Sequence, residues 1–152
     1  YRELDKEPED EMIDILPVPF FGTAYMDMKL LDASNFKPLS TGGFRSSNTI
    51  SDFPNGWVRD THTENTSFMF RLWFRHLFII YKESGDLTEG NITLTVDSEH
   101  VNMFSGYRTF GWNNPTAKSV FSEEEGLEHL VDIRMAKEDE AKNFTLLAFG
   151  YC

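Results

Sequence analysis

An all-β fold is what this chain predicts: an antiparallel β-sandwich or jelly roll with long loops and at most a short helical turn. Three observations carry that expectation. Residues 67–81 alternate in character from one side chain to the next, shorter alternating runs follow between turn-forming clusters, and no sustained amphipathic helical pattern interrupts them.

The run 67–81 is the expected central strand. Phe68, Phe70, Leu72, Phe74, His76, Phe78 and Ile80 fall on one face, and Met69, Arg71, Trp73, Arg75, Leu77, Ile79 and Tyr81 on the other. The first face is apolar except for His76. Wound as a helix, the same residues would bring Arg71 beside Arg75 and spread aromatics over every side. Aromatic and β-branched side chains suit a pleated surface instead.

Residues 82–90 are polar with two glycines and read as a turn. Ile92, Leu94 and Val96 then alternate with Thr93, Thr95 and Asp97 as a half-exposed antiparallel strand. One or two short strands are expected over Val101–Trp112, broken at Ser105-Gly106, then a turn at Asn113-Asn114-Pro115 and a short strand over Lys118–Phe121. Ser122 with Glu123, Glu124 and Glu125 suits a brief helical turn, since Ser caps and acids favour an N-terminus. A last hairpin joins Leu130–Met135 to Phe144–Tyr151. Upstream, Ala24–Leu31 alternates as a strand. Residues 33–66 are rich in turn chemistry and hide a short strand or two, anchored by Phe44, Ile50, Phe53, Trp57 and Val58. The domain division is an acidic extended arm over 1–19, stiffened by Pro17 and Pro19, and a single β-sandwich domain over 20–152.

Bulk properties narrow the partners. The 152 residues match one domain, and 40% hydrophobic content with 14 Phe supports a packed core. A formal net charge of −11 disfavours nucleic acid and anionic lipid, which select Lys- and Arg-rich surfaces. Apolar runs such as Leu77–Tyr81 are far shorter than a bilayer requires, so no direct membrane insertion is expected. Cys152 is the single cysteine. It excludes an internal disulfide and a cysteine zinc site, and points to pairing outside this segment, in a dimer or a larger chain.

Three sequons, Asn65-Thr66-Ser67, Asn91-Ile92-Thr93 and Asn143-Phe144-Thr145, each lie at the mouth of an expected strand. They make Asn65, Asn91 and Asn143 glycosylation candidates and place the domain outside the cell, secreted or in the ectodomain of a cell-surface protein. The chain opens on polar sequence, Tyr1-Arg2-Glu3, so any targeting leader is expected to have been removed or omitted.

Chemistry-bearing motifs are few. The chain has no nucleophile elbow, no zinc-protease helix, no P-loop and no dinucleotide glycine fingerprint, so it is expected not to be an enzyme. His62, His76, His100 and His129 show no ligand spacing, and no metal or cofactor is expected. Calcium has two weak openings, near Asp97 and Glu99 or near Glu123–Glu125, neither with regular aspartate spacing.

Aromatic residues in turn-like surroundings are the stronger lead. Trp57 follows Phe53-Pro54-Asn55-Gly56, and Trp112 sits among Tyr107, Arg108, Asn113 and Asn114. A flat apolar ring flanked by amides and a guanidinium suits sugar stacking or a protein hot spot, and equally a plug in an open sandwich end. Arg71, Trp73 and Arg75 form a cationic-aromatic ladder for an acidic ligand, or pair with surplus carboxylates.

The stretch from Asp97-Ser98-Glu99-His100-Val101 through Tyr107–Asn114 to Lys118-Ser119-Val120 resembles the conserved part of farnesoic acid O-methyltransferase-like domains. It lacks that family's paired glycine before Trp and inserts Pro115-Thr116-Ala117. The resemblance implies an extracellular β module and carries no residue roles. The expected function is an extracellular adhesion module that recognises a protein partner through a sheet face or aromatic loops. The alternative is a carbohydrate-binding, lectin-like module using Trp57 or Trp112, and a hydrolase of unknown type comes last.

Overall fold

The structure, a computed structural model, describes residues 28–59 and 64–152. The acidic arm over 1–19, the boundary at residue 20 and His62 lie outside the described residues.

Eight strands are defined there: β1 (Lys29–Leu31), β2 (Arg45–Ile50), β3 (Phe53–Arg59), β4 (Phe68–Ser84), β5 (Asn91–Val96), β6 (His100–Ser105), β7 (Trp112–Met135) and β8 (Phe144–Tyr151). All pair antiparallel, in the order β2-β3-β8-β4-β7-β5-β6, with β1 on the free part of β8's edge beside β3. The expected all-β class is what forms. The segment read as mostly turns contains the β2–β3 hairpin, closed by Ser51-Asp52 between the paired Ile50 and Phe53.

Beyond Tyr107 the expectation was too fragmented. The separate strands at 118–121 and 130–135 are parts of one 24-residue strand, β7, with no helical turn at 122–126. A 17-residue β4 explains this, because its backbone groups need a partner along their whole length. Phe68–Phe74 pairs with residues 133–127, and His76–Ser84 with 122–112. Between the two zones β7 carries residues 123–126 opposite Arg75 alone. Among the described residues the one short helical piece is a 3-10 turn at Lys137–Asp139.

That bulge reverses which side chains face inward. Before it Phe68, Phe70 and Phe74 are in the core; after it Leu77, Ile79 and Tyr81 are, while Ile80 joins a smaller cluster with Phe53, Leu147 and Ala148. An insertion in a period-two pattern must flip the parity. The continuous face from Phe68 to Ile80 is therefore split between two sides of the sheet.

Rings that share no strand pairing meet across the interior. Trp57 lies 5.1 Å from Phe68, and Phe70 lies 4.9 Å from Phe149. Such contacts identify two facing layers: β2, β3, β8 and the second half of β4 against the first half of β4 with β5, β6 and the later part of β7.

The β5–β6 turn adds a half-buried polar tie. Glu99 N–H donates to Val96 C=O at 3.1 Å, and both central residues are left-handed, Asp97 with φ 54° and Ser98 with φ 60°. This mirror-image turn normally takes Asn-Gly. Asp97 is held there by its carboxylate, which accepts from Leu130 N–H at 2.9 Å and from His129 Nδ1 at 2.5 Å. The His129 ring is packed between Phe74 and Phe121.

Replacing Ser98 with Gly should raise stability by about 1 kcal/mol, read from chemical denaturation, because glycine alone adopts that φ without strain. Desolvation by itself would raise the Asp97 carboxyl. The hydrogen bonds from His129 and Leu130 N–H, with the fields of His129 and His100, outweigh it and hold the group below the usual range. A depressed carboxyl stabilises above its unfolded value and loses that contribution as pH falls through the folded one. Thermal melts of the wild type should therefore weaken from about pH 4 downward, and Asp97→Asn should lack that component.

Candidate functional site

The turn at the start of β7 stands against the end of β4. Ser84 N–H donates to Gly106 C=O at 2.9 Å, Arg108 N–H to Ser84 C=O at 2.9 Å and Gly85 N–H to Gly111 C=O at 3.1 Å. Gly111 N–H closes a turn on Arg108 C=O at 2.8 Å. Phe110, at the third position of that turn, has φ 68°, and Asn113 has φ 66°. A bulky aromatic in the left-handed region is a true outlier, and its persistence requires that surrounding bonds fix it.

Side chains supply the rest. Glu83 is only 6% exposed, and its Oε1 accepts from Arg108 at 3.3 Å and from Asn114 Nδ2 at 3.2 Å. Asn114 Oδ1 in turn accepts from Trp112 N–H at 3.2 Å. Below them, burial first and the Glu83 charge second push the Tyr81 hydroxyl up to about 12, against the opposing field of Arg108. Tyr81 is thus a neutral floor under one buried carboxylate that gathers two donors.

The apolar rings of this loop point away from the core. Phe110 is 92% exposed and Trp112 75%. Exposure of two large rings on a backbone so densely bonded is the opposite of a mobile loop tip. Of the residues singled out in the sequence, Tyr107, Arg108, Trp112, Asn113 and Asn114 are brought together here, with Glu83 and Phe110 added. Trp57 is not. It is 2% exposed and packs on Phe68 and Phe149, so it belongs to the core and offers no stacking face.

Arg71 and Trp73 lie on the outer face of the other layer, opposite Leu130 and Glu128, while Arg75 sits in the bulge. Trp73 is 57% exposed, and a Cβ on Gly126 would meet its ring at 1.9 Å. Gly126 is what lets the indole lie flat across β7. A groove of about 660 Å³ crosses this face, lined by Thr93, Thr95, Val101, Leu130, Asp132 and Arg134 among others.

The sequon asparagines differ in setting. Asn65 is occupied: it donates to Met135 C=O at 3.2 Å and accepts from Met135 N–H at 3.0 Å. Asn143 has a buried carbonyl oxygen, whereas Asn91 is half-exposed and its amide reaches only the Met103 sulfur. His76, which broke the apolar face, shares a 2.7 Å hydrogen bond with Ser122. Cys152 is half-exposed, its backbone bonded to Arg75 and His76.

Of the two calcium openings, Asp97 has both oxygens engaged by His129 and Leu130, and Glu123–Glu125 are exposed on the bulge. Among the described residues no group of three or more His, Cys, Asp or Glu side chains could hold a metal ion. No helix among them is long and apolar enough to cross a membrane.

No family model matches the chain, and neither does any curated protein. Solved structures do share the fold. A two-domain esterase active on acetylated mannans, co-crystallised with mannopentaose, aligns with a TM-score of 0.67 and 18% identity, over 84% of this chain and 36% of its own. A family two carbohydrate esterase from Cellvibrio japonicus gives 0.57 and 14%, over 82% and 33%. The carbohydrate-binding module CBM36 in complex with calcium and xylotriose gives 0.51 and 15%, over 80% and 97%. The chain thus spans about a third of the two esterases' length. At these identities the likeness is one of fold: an antiparallel β-sandwich domain.

Glycine in place of Phe110 should stabilise the isolated domain by about 1 kcal/mol, since a left-handed residue with a side chain costs that much. Chemical denaturation of Phe110→Gly beside wild type measures it; a loss of stability would mean that the ring contributes packing and the backbone carries no strain.

Proposed function

We propose that this domain is a non-catalytic carbohydrate-binding module whose site is the Tyr107–Asn114 loop. The carrying observation is the pair of exposed rings, Phe110 and Trp112, on a loop pinned to the core through Glu83. Sugar rings present apolar C–H faces that stack on aromatics, and hydroxyls that need donors and acceptors at defined positions. Arg108, exposed over 67% of its side chain, and the exposed Asn113 supply those groups at the rim. A site that binds without reorganising loses less freedom on association, and the loop's backbone bonds favour that.

The solved neighbours support the ligand class, because one carries mannopentaose and another xylotriose. Manno- and xylo-oligosaccharides are therefore the first ligands to try. A carbohydrate ligand suits two exposed rings on a loop that also carries Arg108 and Asn113. Secretion and glycosylation accompany this reading, with Asn91 the acceptor whose amide has least to give up.

A glycan array followed by titration calorimetry tests it. Wild type should bind a defined set of oligosaccharides, and Trp112→Ala should weaken binding at least tenfold, or about 1.4 kcal/mol. Silence across the array would refute the assignment. Binding kept in Trp112→Ala but lost in Trp73→Ala would move the site to the outer sheet face.

A further inference from the structure

The parallel bridge between Glu89 and Asn143 carries an unresolved charge problem. Asn143 N–H donates to Thr88 C=O at 2.8 Å, and Asn143 C=O accepts from Gly90 N–H at 2.9 Å, so its backbone clasps the residues on either side of Glu89. Residues paired in this way carry their side chains on the same side of the sheet. Both side chains end in a buried oxygen that finds no hydrogen-bond donor: Glu89 Oε1 and Asn143 Oδ1. Glu89 as a whole is 7% exposed. Buried acceptors without donors are rare, and a carboxylate in that position is the costliest kind.

Nearby donors are committed elsewhere. Glu89 N–H goes to Asp86 C=O, Asn91 N–H to the Asp139 carboxylate and Lys142 N–H to Asp139 C=O. Lys142 Nζ faces Asp139 at 3.9 Å. Two oxygens that only accept, one of them formally charged, together with the carbonyls of this tight corner, are hard ligands of the kind calcium takes. We propose that Glu89 Oε1 and Asn143 Oδ1 are ligands of a calcium site that fastens the loop before β5 to the start of β8. One carboxylate and one amide make a weak site, in the range of extracellular modules with dissociation constants of about 0.1–1 mM.

Desolvation first, and then the Asp86 charge, raise the Glu89 carboxyl above the usual range, with Lys82 opposing. A bound cation would reverse that shift. Gly106 N–H donates to Gly90 C=O at 2.9 Å, so this corner adjoins the start of the Tyr107–Asn114 loop, but the calcium site does not depend on the carbohydrate reading.

Thermal melts of the EDTA-treated domain with and without about 10 mM calcium test it, alongside magnesium as a control. Saturation well above the dissociation constant should raise the wild-type midpoint by roughly 5 °C, and magnesium should do less. Glu89→Gln should melt at or above the calcium-free wild type, because it removes a buried charge, and should show no calcium shift. Asn143→Asp, which adds a carboxylate, should tighten calcium binding several-fold by calorimetry. An unmoved wild-type midpoint, or a calcium shift that survives Glu89→Gln, would overturn the proposal. Should Glu89→Gln fail to fold, unchanged calcium affinity in Asn143→Asp would overturn it equally.

Discussion

Pairing of β4 with β7 is the constraint on which the other contacts depend. These two strands are bonded to each other along almost their full length and belong to both layers, so every other strand is positioned by its distance from them. Their bulge lets one pair of strands serve two facing sheets. It turns the inward set from Phe68, Phe70 and Phe74 to Leu77, Ile79 and Tyr81, and those residues meet Trp57, Phe144 and Phe149 in one cluster. A register slip on either side of Arg75 would turn one layer's apolar side chains to solvent. The aromatic core is consequently selective about register as well as large.

From that frame the candidate site follows by continuity. The inward alternation after the bulge carries Tyr81 and then Glu83 toward the end of the sandwich. Burial makes the Glu83 carboxylate demand partners, and Arg108 and Asn114 provide them. The loop that holds these two donors carries Phe110 and Trp112 outward. A buried carboxylate thus helps fix a loop with two exposed rings, and the left-handed Phe110 is the strain expected where position matters more than stability. Such an arrangement suits recognition of a small, rigid, partly apolar ligand.

Much of this was legible in the residues, and the gaps have physical causes. Alternation marked β4, β5 and the last part of β7, whereas β8, buried on both faces, stood out as an apolar run after a charged turn. The stretch from Ser122 to Glu125 was missed because these residues lie on exposed positions and offer no apolar beat, while β4 alone supplies the reason for them to be extended. The bulge was invisible, since residues 75–81 alternate acceptably in either parity. Trp112 with Arg108 and Asn114 was found from local composition. Trp57, read both as a core anchor and as a candidate binding ring, is the former: Asn55-Gly56 resembles a turn, yet Gly56 is a strand residue beside a buried indole. Glu83 could not be singled out among 25 acids; only its burial distinguishes it. The orphaned oxygens of Glu89 and Asn143 arise from a bridge between distant segments, which no local pattern announces.

The central claim is that a rigid loop at the end of the sandwich is where a saccharide docks. Backbone amide chemical shifts, followed by NMR while a manno- or xylo-oligosaccharide is added, address it directly. Perturbations confined to Tyr107–Asn114 and the adjoining Glu83–Gly85, with the other amides still, are the predicted result. Shifts centred on Thr93, Thr95 and Asp132 of the outer sheet face, or none at all, would contradict it.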